Sequence, residues 1–235
     1  MNKQNIFNEL VLLRHGQSIW NLKNKFTGWT DVRLTKKGIL EAKDAGKILL
    51  KNNFYFDYIF TSFLIRSKET MRICVDQLNH KPLSIYSSWR LNERHYGALQ
   101  GLNKSDTAKK FGEDQVHMWR RSYDIAPPAL ENDDERHPKN DVLYKDINTE
   151  NLPNSESLKD TVMRIKPLWK NKIVTKIKDQ KKIMIVAHGN SLRAIVQILE
   201  NHSNEEIMKI NIPTGNPLVY YLNSNLETIK KNHLI

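Results

Sequence analysis

Apolar and polar positions follow two rhythms along this chain. Short apolar runs at residues 9–13, 58–61, 83–86, 183–187 and 217–222 read as strands. Between them the spacing becomes helical. Thr35 is placed to cap a helix with Ile39, Ala42, Gly46, Leu49 and Leu50 on its apolar stripe. Residues 64–78 form a second helical stretch, with Ile65, Ile73 and Leu78 inward. From Ser157 to about residue 178, Leu158, Val162, Ile165, Trp169, Ile173 and Ile177 share one face of a long helix. Residues 191–199 continue the pattern as a helix after the fourth strand.

Strand and helix alternate at both ends of the chain. That predicts an α/β fold of three αβα layers around a mostly parallel sheet covered on both faces. Right-handed crossovers would bring the first and fourth strands into one sheet. The middle is different. Residues 88–156 are polar, with Pro127-Pro128 and an acidic patch at 131–135. Two short helices are expected near 104–111 and 113–122, and 123–154 reads as a long surface loop. The whole of residues 1–235 is thus expected to be one α/β domain with an insertion at about 88–156.

Composition narrows the setting. The chain has 235 residues, 39% of them hydrophobic. No apolar run approaches the roughly 18–20 residues that cross a bilayer, and residues 1–5 lack the apolar core of a signal peptide. A single cysteine, Cys74, excludes an internal disulfide. A reducing cytoplasm is the expected compartment. The formal net charge of +11 calls for either a solvated lysine-rich surface or an anionic partner. No nucleic-acid-binding motif accompanies the charge, so a small phosphorylated molecule is the expected anion and no nucleic acid or membrane is expected.

Two strands end in His-Gly, at His15-Gly16 and His188-Gly189. In α/β sheets ligands gather at the carboxyl ends of strands. A neutral imidazole is a competent nucleophile towards phosphorus, and the adjacent Arg14 can clamp phosphate oxygens. Gln17, Ser18 and Asn21 add polar groups beside it. Gly189 and Asn190 open a helix whose free N–H groups suit an anion, and Asn190 or Ser191 is expected to cap it. Arg66 either faces the same crevice or is an ordinary surface arginine. The string 91–97 is either a polar turn or the source of a general acid/base, Glu93. Lys104 and Arg120-Arg121 add fixed positive charge, although adjacent arginines on a helix point in different directions. The histidines lack metal-ligand spacing, and no metal is expected.

Five strings then carry a resemblance over nearly the whole length. They are Leu-Leu-Arg-His-Gly-Gln-Ser-Ile-Trp-Asn (12–21), Phe-Thr-Gly-Trp-Thr-Asp (26–31), Leu-Asn-Glu-Arg-His-Tyr-Gly-Ala-Leu-Gln-Gly-Leu-Asn-Lys (91–104), Trp-Arg-Arg-Ser-Tyr-Asp (119–124) and Ala-His-Gly-Asn-Ser-Leu-Arg-Ala (187–194). The chain resembles the cofactor-dependent phosphoglycerate mutases of the histidine phosphatase superfamily. Arg-His-Gly marks the superfamily; 91–104 with Trp-Arg-Arg points to the mutase branch. The resemblance implies interconversion of 3-phosphoglycerate and 2-phosphoglycerate in glycolysis and gluconeogenesis, with 2,3-bisphosphoglycerate priming His15. It implies that Arg14, Arg66 and His188 stabilise the transferring group, helped by Asn21, Gly189 and Asn190, and that Glu93 moves the proton. Thr27, Gly28, Arg94, His95, Tyr96, Lys104, Arg120 and Arg121 would line the remainder, and the assembly would be a homodimer or homotetramer. Many family members carry a Lys-rich tail after the last strand. Here Asn232-His233-Leu234-Ile235 follow, so that tail is expected to be absent or reduced.

Overall fold

The computed structural model describes residues 8–131 and 133–235; the N-terminal residues 1–5 discussed above lie outside them. Six strands form one sheet in the order β3-β2-β4-β1-β5-β6. They are β1 (Asn8–Arg14), β2 (Tyr58–Thr61), β3 (Ser84–Ser87), β4 (Ile183–Ala187), β5 (Leu218–Leu222) and β6 (Thr228–His233). The first four run parallel; β5 pairs antiparallel with β1, and β6 antiparallel with β5. The helices are α1 (Ile19–Leu22), α2 (Lys36–Lys51), α3 (Ile65–Val75), α4 (Lys104–Phe111), α5 (Glu113–Arg121), α6 (Leu158–Leu168), α7 (Val174–Lys178), α8 (Gly189–Glu200) and α9 (Asn204–Lys209).

Side-chain alternation in the central strands builds the three layers. Leu10 and Leu12 of β1, with Ile183, Ile185 and Ala187 of β4, pack against Leu158, Val162, Ile165 and Leu192. The intervening Val11, Leu13, Met184 and Val186 pack against Ala45, Leu49 and Cys74. Both faces of the central strands β1 and β4 are therefore dry, as central parallel strands require. None of the helices among the described residues is long and apolar enough to cross a membrane.

The long helix expected from Ser157 is present, capped by that residue, whose hydroxyl accepts from the Asp160 N–H. All six of its expected inward residues are buried. Their last three steps are four residues each, slightly more than one α-helical turn. The helix accommodates the drift with a wider π-helical turn at Trp169–Ile173, next to Pro167.

Other expectations are corrected. The inner face of α2 is Gly38, Ala42, Ala45, Gly46 and Leu49; Ile39 points to solvent and Leu50 is half-buried. Small residues win there because α2 lies close to its neighbours: a Cβ on Gly16 would stand 2.1 Å from the Gly38 carbonyl oxygen. On α3 the buried face is Arg66, Ser67, Thr70 and Cys74, with Ile65, Ile73 and Leu78 only half-buried. The helix turns its polar groups inward because backbone carbonyls and N–H groups near the strand ends need them. The described residues of the 123–154 stretch hold no strand or α-helix but bury Leu130, Tyr144 and Leu152, partly around Trp29. The polar edge strand β6 and the short helices α1 and α9 lacked a hydrophobic rhythm and were not expected.

Candidate active site

The β1–β4 ladder ends at Leu13↔Val186 and Arg14↔Ala187. One residue further the two His-Gly pairs emerge together, and the His15 N–H donates to the Ala187 carbonyl at 3.0 Å. The imidazoles of His15 and His188 meet edge to face, with ring centroids 4.9 Å apart. They are 2% and 0% exposed. His15 Nδ1 lies 2.7 Å from the Gly16 carbonyl oxygen. A carbonyl only accepts, so Nδ1 carries the proton and Nε2 keeps its lone pair. His188 Nε2 pairs with Ser62 Oγ at 2.7 Å, just beyond the end of β2. Burial foremost, then the Arg66 and Arg14 guanidinium groups, holds His15 well below the usual imidazole range. Burial, Arg66, His15 and Arg14 do the same to His188. Both rings are neutral at physiological pH.

Arg14 donates to the Ile212 carbonyl at 2.8 Å, and its guanidinium carbon would stand 3.4 Å from a Cβ on Gly189. Arg66 donates to the carbonyls of Thr30 (3.0 Å) and Gly28 (2.8 Å), and its Nε has no hydrogen-bond partner. Burial lowers its pKa to about 10, which leaves it charged at neutrality. Glu93 Oε1 accepts from the Arg94 N–H (2.8 Å) and the Asn190 N–H at the start of α8 (3.0 Å). The cap of α8 is His188, whose N–H donates to Ser191 Oγ at 3.1 Å; Asn190 is instead free to turn towards Tyr96, donating to its hydroxyl at 3.2 Å.

Above these groups opens a cavity with about 630 Å³ of empty space, including part of its mouth. Among the described residues in its wall six are cations, Arg14, Lys25, Lys104, Arg120, Arg121 and Arg193, against one acid, Glu93. Asn21, Thr27, Gly28, Tyr96, Gly189 and Asn190 line it as expected. His15 and His188 sit one residue from the lining residues Arg14 and Gly189. Among the described residues no three His, Cys, Asp or Glu side chains gather in a way that could hold a metal ion.

Four expected binding residues lie outside the wall. Ser18 is buried as the N-cap of α1, with its hydroxyl bonded to Asn21. The Gln17 side-chain oxygen accepts from the Thr35 hydroxyl at 3.0 Å, bracing the cap of α2. Arg94 is buried behind Tyr96, its guanidinium 4.7 Å from that ring. His95 lies against Trp29, with ring centroids 5.7 Å apart. Residues 92–96 form an irregular segment between two short 3₁₀ turns, and its backbone turns Glu93 and Tyr96 towards the cavity and His95 away. Lys25, Arg193, Asn211, Ile212 and Ser62 were not singled out from the sequence. Arg193 donates to Asn190 Oδ1 (2.9 Å) and to the carbonyls of Ile207 (2.6 Å) and Arg121 (3.2 Å), tying α5, α8 and α9 together. Only its place within 187–194 could have signalled it.

His95 carries a pH signature. Burial first, then His137, Arg164 and Arg136, holds it at about 3. Unfolded, the ring takes up a proton below about 6.5. The folded state stays unprotonated, so stability present above pH 6.5 is lost as pH falls towards 3. Between pH 7 and 4.5 this amounts to roughly 2–3 kcal/mol. Unfolding free energies from urea titrations at the two pH values should therefore differ less in His95→Gln than in the parent, by about that amount. An equal acid loss in both would refute the assignment.

The profile of the histidine phosphatase superfamily (branch 1) matches residues 10–137 and 131–231. A 2,3-bisphosphoglycerate-dependent phosphoglycerate mutase of Borreliella afzelii (strain PKo) is 52% identical over 226 residues, 96% of this chain and 91% of that one. The chain belongs to the histidine phosphatase superfamily and, within it, to the phosphoglycerate mutase family. Solved histidine phosphatase structures share its fold. A mycobacterial glucosyl-3-phosphoglycerate phosphatase in complex with VO3 superposes with a TM-score of 0.72 at 19% identity, covering 97% of this chain and 98% of that one. An Escherichia coli protein described as a putative alpha-ribazole-5'-P phosphatase gives 0.69 at 17% identity, over 96% and 93% of the two chains.

Proposed function

We propose that this phosphoglycerate mutase family member interconverts 2-phosphoglycerate and 3-phosphoglycerate through phosphorylation of His15. One observation carries the reading: a neutral, oriented imidazole beside a second one, under a wall of six cations and one carboxylate. The 52% identical mutase supports it. The excess of cations fits 2,3-bisphosphoglycerate, with Lys104, Arg120 and Arg121 facing one phosphate and the carboxylate while Arg14 and Arg66 face the other phosphate. When bound, that primer supplies the phosphoryl group that charges His15.

His15 Nε2 attacks phosphorus, and its Nδ1–H bond to Gly16 spreads the developing positive charge. Arg14, Arg66, His188 and the Gly189 N–H that opens α8 surround the transferring oxygens. Glu93 takes the proton of the monophosphoglycerate hydroxyl as that oxygen bonds phosphorus and the N–P bond breaks. The electron pair of that bond returns to Nε2. In the reverse step Glu93 returns the proton. For scale, two unit charges 4 Å apart interact by about 4 kcal/mol at an effective dielectric near 20. Several such contacts retain a multiply charged intermediate while it reorients, which a hydrolase does not need.

Assay of the purified protein with 3-phosphoglycerate tests this, with and without trace 2,3-bisphosphoglycerate. Isomerisation stimulated by the trace is expected; phosphate release without isomerisation would make the chain a phosphatase of small esters. The same proposal places the enzyme in the cytoplasm as a homodimer or homotetramer, which sedimentation at several concentrations checks.

A further inference from the structure

Glu156 and Arg164 lie outside the cavity wall and have no part in the phosphoryl transfer described above. They form a buried ion pair with side chains 3% and 5% exposed. The pair is bidentate: Arg164 Nε donates to Glu156 Oε1 at 2.6 Å and Arg164 Nη2 to Oε2 at 2.9 Å. The rest of the guanidinium is spent on backbone. Nη1 donates to the carbonyls of Trp89 (3.1 Å) and Arg90 (2.7 Å). Nη2 donates to those of Asn92 and Glu93, both at 3.2 Å. Glu156 Oε2 also accepts the His95 N–H at 2.8 Å. One side-chain pair thus grips the main chain on both sides of Glu93 and at Glu93 itself.

A buried ion pair is weak evidence for stability, because desolvation offsets most of the attraction. It does impose geometry, and a planar fork reaching four carbonyls is something lysine does not reproduce. The platform is firm. Arg164 lies on α6, which Leu158, Val162 and Ile165 fasten to the sheet. Among the described residues, by contrast, the Glu93 carboxylate is held through Oε1 by two N–H groups. Its aim therefore depends on where the 89–95 backbone stands.

We infer that the Glu156–Arg164 pair is the positioning element for Glu93, setting the carboxylate where it meets the hydroxyl that gives or takes the proton. The inference rests on the role given to Glu93 above. The test compares two phosphoryl donors to His15. The alkoxide leaving 2,3-bisphosphoglycerate needs a proton from Glu93. The phenolate leaving 4-nitrophenyl phosphate is a weak base and departs without one. Single-turnover phosphorylation of His15 is measured for the parent, Glu156→Gln, Arg164→Lys and, as reference, Glu93→Gln.

In both brace variants charging from 2,3-bisphosphoglycerate should slow by about 10²-fold, the scale of a 1 Å misplacement. Charging from 4-nitrophenyl phosphate should stay near the parent rate. Glu156→Gln, of the same shape as the native side chain, keeps the comparison if Arg164→Lys does not fold. Equal slowing with both donors would mean general loss of structure and would overturn the inference, as would no slowing with either. Selectivity in Glu93→Gln but not in the brace variants would overturn the brace alone. No selectivity in Glu93→Gln would remove the role of Glu93, and the brace with it.

Discussion

Replacing His15 with alanine should lower isomerisation on the order of 10⁵–10⁶-fold, the scale seen when a covalent nucleophile is removed. No neighbouring group is placed to take over. His188 has its Nε2 engaged with Ser62 Oγ at 2.7 Å. Cys74, the single thiol, is buried, and burial pushes its pKa up to about 12, so it offers no thiolate. Ser62 is fully buried outside the cavity wall, its hydroxyl held between Ser67 and His188. The variant should also fail to accumulate acid-labile protein-bound phosphate. Isomerisation at near-parent rate, or undiminished phosphoenzyme, would remove His15 from the mechanism.

The second large effect is expected at Glu93→Gln, a loss of roughly 10²–10⁴-fold in transfer between phospho-His15 and a sugar-acid hydroxyl. The amide oxygen still accepts from the Arg94 and Asn190 N–H groups, so geometry is preserved. What disappears is a base for the hydroxyl proton. The variant also removes the one acid among the described residues of a wall that holds six cations. Phosphoglycerate binding should therefore hold or tighten while kcat falls, the pattern of a contribution made in the transition state. Single-turnover transfer at the parent rate, or a loss confined to KM, would reject the assignment.

Much of the architecture was legible because it is written in short-range patterns. The run 183–187 is buried throughout and is a central strand. The stripe from Leu158 to Ile177 is the inner face of α6 and α7. Thr35 caps the helix it was expected to cap, and the long helix begins at Ser157 as expected. The errors cluster where burial was polar or close-packed. On α3 the inward groups are Arg66, Ser67 and Thr70, because carbonyls of the 28–30 loop and the Gly16 N–H must be satisfied. A hydrophobicity pattern carries no signal for such groups.

The site divides the same way. Local strings identified His15, Glu93, His188 and the family, since each motif places its own residue at a strand end or turn. What they could not settle was direction and company. Within single motifs Gln17, Ser18 and His95 turn into caps and core while Asn21, Glu93 and Tyr96 turn to the cavity. Arg14 is held by the carbonyl of Ile212, 198 residues away. His15 meets His188 only because β1 and β4 are neighbours in a given register. Sequence alone determined most of the elements and the candidate reacting groups, because backbone periodicity and residue chemistry are local. The tertiary structure decided which of those groups converge, because hydrogen-bond saturation and strand pairing are satisfied between segments that no local pattern connects.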